Sequence, residues 1–337
     1  MPDTITNGDK FIGQQELISK LDQPALLLDG EQITFANDAA RKLLGNHITG
    51  ANVRLALRAP SAISTALSNR PGRTLVPRIG TPDSLWELSS QPLGGRIRLM
   101  TLKDVSAEQS IARIHADFVA NASHELRTPV ASILGFAEAL LDPSTGSNTE
   151  MRSKFLTTIQ REGKRMEAMI ADLMSLSRIE EEKHRLPDML VDLAELCRNT
   201  SHEFAESDNL VVEVPDHMCH IYGDEARLRQ MLRNLIDNAV KYSRADGDVT
   251  LSLEQTKGGW AVIKVHNHGP PIPAQMLPRL TERFFRVDEA RSKAVGGTGL
   301  GLSIVKHIVI RHRGRLNIDS SAESGTTFEA VFPLHKK

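Results

Sequence analysis

Over the first hundred residues the apolar positions come in short runs broken by turn formers. PALLLDG reads as a strand ending in a turn, EQITFAND as a second strand, and DAARKLLG as a short helix closed by Gly45. Further on, SLWELSSQPL and RIRLMTLKDV flank Gly94 and Gly95, the dipeptide expected in a tight hairpin. The period changes near residue 105. Val119, Ala122, Leu126, Val130, Ile133, Ala137 and Leu140 recur every three or four positions, the apolar seam of a bundle helix, which Asp142, Pro143 and Ser144 end. After a polar stretch to Thr149, Phe155, Ile159, Met166, Ile170, Leu173 and Leu176 mark a second seam on a helix running to about Lys183. A hairpin of two such helices leaves its seam exposed in a monomer, so dimerisation into a four-helix bundle is expected.

From Leu186 onward the signals alternate. A helix (LAELCRNTSHEF), a strand (NLVVEV), a long helix from Asp224 to Tyr242, strands VTLSLEQ and WAVIKVH, a helix after Gly299 and strands RLNID and TTFEAVF predict an α/β sandwich. The fold class is therefore multidomain α+β. Its expected divisions are a disordered tail over 1–13, a small mixed domain over 14–104, a dimeric helical hairpin over 105–185 and the sandwich over 186–337.

Composition narrows the function classes. Forty-one basic against 42 acidic residues leave a formal charge of -1, so no overall basic field recommends nucleic acid as a partner. Cys197 and Cys219 are too few for a disulfide framework, and no apolar run approaches the ~20 residues of a membrane span. A cytoplasmic location follows as the expectation, with membrane contact only through a longer parent or a membrane partner.

Two constellations carry chemistry. His124 lies two residues from both Ala122 and Leu126, so helical rotation turns it to solvent, with Glu125 beside it and Thr128 on its own face one turn later. A neutral imidazole nitrogen can attack phosphorus when a neighbouring carboxylate takes the ring proton, and Glu125 is placed for that. Pro129 removes a backbone donor just below the histidine. On the long helix Asn234, Asn238 and Lys241 share one face, with Tyr242 adjoining. Carboxamide oxygens suit Mg²⁺, an ammonium suits phosphate and the phenol ring suits a base. Gly297, Gly299 and Gly301 open the next helix, where backbone N–H groups can approach phosphate oxygens.

The string NASHELRTPV closely resembles the H-box of sensor histidine kinases. The Asn-bearing helix, the VKVHNHGPPIP loop, ERFFRVD and GGTGLGLSIVKHI follow in the order of the ATP-binding domain of the same family. The resemblance implies a PAS-like sensory domain, a dimerisation and phospho-acceptor hairpin, and a Bergerat (GHKL) ATPase domain. It makes His124 the phospho-acceptor, Glu125 its acid/base partner and Thr128 the residue linked to phosphatase activity. It implies ATP and Mg²⁺ as cofactors, with Asn238 holding the metal. Asn234, Lys241, Tyr242, Asn267, Gly269, Arg286, Gly297, Thr298, Gly299, Leu300 and Gly301 complete the nucleotide-binding set. Phe284 and Phe285 would anchor a lid from about Arg286 to Gly296. The implied partners are a second copy of the chain and a response regulator. LPRLTERFFRVDEARSKAVGGTGLGLSIVKHIVIRHRGRL and RAPSAISTAL resemble the phosphate-regulon sensor kinases in particular.

One position departs from the family pattern. Asn267 stands where the family usually has an adenine-binding Asp, and Pro271 replaces a glycine. That leaves open a phosphatase-biased or pseudokinase scaffold, and, from a different class, a sensory scaffold that binds partners through the bundle. The neighbouring His217, Cys219 and His220 lack a second ligand pair and read as strand and loop residues; His266 and His268 read as structural.

Overall fold

A computed structural model describes residues 15–142, 148–182, 186–204, 209–244, 247–288 and 297–335, without the side chains of 111, 114 and 115. The chain divides into two compact units, Met1–Val119 and Ala120–Lys337.

The first unit is built on a five-stranded antiparallel sheet of order β2-β1-β5-β4-β3. Its strands are β1 (Ala25–Asp29), β2 (Gln32–Ala36), β3 (Gly72–Pro77), β4 (Leu85–Gly94) and β5 (Ile97–Asp104). The chain between β2 and β3 forms α1 (Asp38–Leu44), α2 (Val53–Ala56) and α3 (Pro60–Leu67). Asn37 caps α1, and Gly45 ends it in a left-handed conformation that only glycine adopts freely. The alternation of β1 sends Leu26 and Leu28 to one face, with Ile33, Leu88, Met100 and Leu102 under the helices. Ala25 and Leu27 go to the other, with Ile18, so β1 is buried on both faces. Strand β3 has no counterpart in the sequence reading.

Helix α4 (Ser106–Leu141) runs through Pro129 without interruption, and α5 (Thr149–Glu181) starts from an Asn148 cap. Within the hairpin the Phe136 and Phe155 rings meet at 5.0 Å. The α5 seam divides as it descends. Ile170 is 48% exposed, whereas Met169, Leu176 and Ile179 are buried. The reason is a second partner: the lower part of α5 lies against α8 (Gly301–Arg311), where Arg311 pairs with Glu182 at 2.9 Å.

The α/β part of the second unit carries a sheet of order β11-β12-β10-β9-β7, antiparallel except for the β7–β9 pair. The strands are β7 (Leu210–Glu213), β9 (Val249–Gln255), β10 (Trp260–Asn267), β11 (Arg315–Ser321) and β12 (Gly325–Pro333). β6 (Met189–Asp192) and β8 (His220–Gly223) form a separate ribbon that the sequence reading lacked. Helices α6 (Leu193–His202), α7 (Glu225–Tyr242) and α8 complete the fold. Every second residue of β10 and β12 points inward, so Ile263, Val265, Phe328, Ala330 and Phe332 bury beside the apolar stripe of α7.

Candidate functional site

His124 stands exposed on α4. Thr128, also exposed, directs its hydroxyl to the His124 carbonyl oxygen at 3.5 Å, and Pro129 is buried. Glu125 is partly buried and shared by two arginines. Arg286 Nη2 lies 3.0 Å from its Oε2, and Arg165 Nη2 lies 3.6 Å from the same oxygen.

Helix α7 presents the second constellation. Asp224 caps it by accepting from the Arg227 N–H, and Leu228, Met231, Leu232, Leu235, Ile236 and Ala239 turn to the core. The remaining face gives Asn234, Asn238, Lys241 and Tyr242 to a cavity of about 480 Å³. Asn267 reaches the same cavity because it continues the inward face of β10 after Ile263 and Val265, opposite Thr326 on β12. Lys241 Nζ donates to Asp237 at 2.6 Å, and Asn234 Nδ2 donates to the Gly301 carbonyl at 3.3 Å, tying α7 to the glycine loop.

Two glycines shape the walls. A Cβ on Gly269 would come within 2.5 Å of the Tyr242 carbonyl oxygen. Gly299 has φ +74°, and a Cβ there would stand 2.9 Å from Phe284 Cα. Phe284 is itself left-handed, at φ 63°, and its N–H donates to the Gly299 carbonyl at 2.8 Å. Such a backbone in a non-glycine residue costs about 1–3 kcal/mol and persists where its surroundings hold it. Phe285 lines the cavity with the Arg279 guanidinium over its ring, and Arg286 Nη2 donates to the Gly297 carbonyl at 2.7 Å. Gly297, Thr298, Gly299 and Gly301 all line the cavity.

Leu300 does not line the cavity with its side chain, which is fully buried, and its N–H donates to Thr298 Oγ1 at 3.3 Å. The expected lid falls largely on residues 289–296, outside the described residues, as does the loop at 143–147. Among the described residues no group of three or more His, Cys, Asp or Glu side chains could hold a metal.

Comparison with known proteins bears on both constellations. Residues 114–182 match the His Kinase A (phospho-acceptor) domain, and residues 223–336 match the histidine kinase-, DNA gyrase B- and HSP90-like ATPase. The phosphate regulon sensor protein PhoR of Pseudomonas aeruginosa is 37% identical over 243 residues, 71% of this chain and 54% of PhoR. The chain belongs to the sensor histidine kinases. SenX3, a sensor-like histidine kinase of Mycolicibacterium smegmatis, is also 37% identical, over 253 residues, 71% of this chain and 65% of SenX3. Sensor histidine kinase RppB of a Synechocystis species is 35% identical over 222 residues, 64% of this chain and 48% of RppB. This histidine kinase chain spans about half the length of the curated relatives it matches. No helix among its described residues is long and apolar enough to cross a membrane.

Several wall residues of this kinase had no motif to reveal them. Asp172 and Ala168 reach the cavity from α5, and Thr326 and Phe328 from β12. The inward alternation of TTFEAVF could have suggested the β12 pair. Asp172 carries no local signal, since only the packing of α5 against the α/β layers brings it there. Its carboxyl is pushed above the usual carboxylate range, first by burial, and the hydrogen bond from Thr298 and the Lys241 charge offset this in part. His266, bonded to Thr327 Oγ1 at 3.0 Å, is pushed below the ordinary imidazole range by burial and then by His268.

Proposed function

We propose that this chain uses ATP to phosphorylate His124 and hands the phosphoryl group to an aspartate of a response regulator. The observation that carries the reading is the bond between Arg286, at the rim of the cavity, and Glu125, next to His124, which joins the two constellations in one unit. In the transfer, an imidazole nitrogen of His124 forms a bond to the γ-phosphorus, the bond to the bridging oxygen breaks, ADP leaves and the ring proton passes to Glu125. Glu125 must leave Arg286 for that step.

The cavity residues suit a nucleotide. Arg286 keeps a buried Nε without a hydrogen-bond partner, and Gly269 and Gly299, which have no room for a Cβ against Tyr242 and Phe284, stand in the cavity wall. Asn234, Lys241 and Arg286 would take phosphate oxygens, with Gly297, Thr298, Gly299 and Gly301 supplying loop donors. Tyr242, Asn267 and Gly269 would surround adenine. Asn238 would hold Mg²⁺, which when bound spreads the phosphate charge. Thr128 is suited to position a water against the regulator's phospho-aspartate, giving phosphatase activity.

Residues 14–104 are read as a PAS-like sensor, supported by the order β2-β1-β5-β4-β3 with helices between β2 and β3. The hairpin over 105–185 is read as the homodimer interface, supported by its exposed Val130, Leu134, Leu156, Ile170 and Met174. A role in phosphate-starvation signalling rests on the identity with PhoR. Incubation with radiolabelled ATP should leave an acid-labile, base-stable label on the protein. Label retained by His124→Gln would overturn the assignment.

A further inference from the structure

The two groups at the phosphate end of the cavity already hold carboxylates from the chain itself. Arg286, 6% exposed at its side chain, directs Nη2 to Glu125 Oε2 at 3.0 Å. Thr298 Oγ1 donates to Asp172 Oδ2 at 2.7 Å. A carboxylate oxygen and a phosphate oxygen ask the same of a donor, a negative acceptor along the N–H or O–H direction. Resting on the nucleotide reading above, we infer that the hairpin competes with nucleotide for this site, that Asp172 and Glu125 stand in for phosphate, and that Asp172 sets the affinity.

Three features support the competition. Asp172 lies on the cavity wall, so phosphate charge entering the cavity meets a carboxylate in a site of reduced dielectric. Its carboxyl is already unfavourably buried, which makes the contact one that nucleotide can break. The docking of α5 also has bonds away from the cavity: Ser175 to Gln230 at 2.9 Å, Arg311 to Glu182 at 2.9 Å, and Arg283 to Glu180. Removing Asp172 therefore frees Thr298 without removing the docked face. The consequence for chemistry is coupled. While the hairpin is docked, Glu125 is held by Arg286 and is poorly disposed to take the His124 proton; nucleotide that claims Arg286 releases it.

Calorimetric titration of the full chain with ATP and Mg²⁺ tests this. Asp172→Ala should bind ATP at least about fivefold more tightly than the unmodified protein, and Asp172→Asn should share most of the gain if charge is the cause. Thr298→Cys combined with Asp172→Cys, oxidised to a disulfide, should lose ATP binding and recover it on reduction. Equal or weaker binding by Asp172→Ala with an unchanged melting temperature would overturn the inference, as would undiminished binding by the cross-linked protein. If neither the unmodified chain nor folded Asp172→Ala binds ATP, the nucleotide reading itself falls. Binding that Asn238→Ala removes in both backgrounds, with no difference between them, would reject the competition alone.

Discussion

The hairpin and the α/β layers of the second unit bury their apolar residues in opposite ways. In the α/β layers Leu235, Ile236, Ile263, Ile304 and Phe328 are at most 2% exposed, closed off by their own chain. In the hairpin Leu134, Leu156, Ile170 and Met174 are each about half exposed, between 48% and 57%. The α/β layers close their core within the chain, while the hairpin leaves much of its apolar seam half exposed. The functional side chains follow the same division. His124 and Thr128 sit on a solvent face that supports no packing, and the cavity residues sit on the back of a packed helix.

The sharpest break in this comparison would come from His124. His124→Gln should remove all phosphate incorporation with no change in melting temperature, measured by labelling beside calorimetry; a large loss of stability would mean that the hairpin's solvent face bears structural load. A matched pair comes next. Leu235→Ala should destabilise the α/β layers by roughly 2–5 kcal/mol, through lost burial and the cavity left behind. Ile170→Glu should change the stability of the monomer by only about 0.5 kcal/mol yet weaken self-association at least about tenfold in sedimentation. Equal unfolding penalties in the two would erase the distinction.

A smaller effect is expected at Asn267. A carboxylate there would replace a neutral acceptor by a charge-assisted one, worth on the order of 1 kcal/mol, so Asn267→Asp should bind ATP about fivefold more tightly and widen its preference over GTP. Titration of both nucleotides checks this, and weaker ATP binding would mean that the wall around Pro271 is fitted to the amide. The smallest effect concerns pH. His312 accepts from the Asp224 N–H at 2.9 Å through Nε2, while Nδ1 faces the Ile308 carbonyl at 2.7 Å, so the ring is neutral with its proton on Nδ1. Burial holds it below the ordinary value of 6.5. A depressed histidine contributes stability that is complete above pH 6.5 and lost as pH falls toward the folded value. Melting curves from pH 7 down to about 5 should show this loss in the unmodified chain and a flatter profile in His312→Gln.

Much of this architecture was legible because burial in it is periodic. The alternation in WAVIKVH and TTFEAVF and the stripe of α7 are local records of a core face, and the His124 and Asn238 strings are contiguous. What escaped was decided by partners distant in sequence. β3, with Gly72 at its start and Pro77 at its end, extends because β4 offers it a ladder. The burial of the Leu300 side chain has no local signal in a run of glycines, because the core beneath α8 that receives it is built from distant segments. Asp172 reads as an ordinary polar position of a bundle helix, and only the docking of α5 turns it into a wall of the cavity.

The bonds from Phe284 to Gly299 and from Arg286 to Gly297 pinch the chain together on either side of residues 287–296. A connection whose two ends are pinned to each other behaves as a closed ring, and the entropy of closing a ring grows only logarithmically with its length. Doubling the span would cost about 0.6 kcal/mol, less than many single substitutions in the core. An entropy of that size leaves the pinch itself standing, so the left-handed Phe284 and Gly299 keep their places through their bond to each other and not through the length of chain that links them.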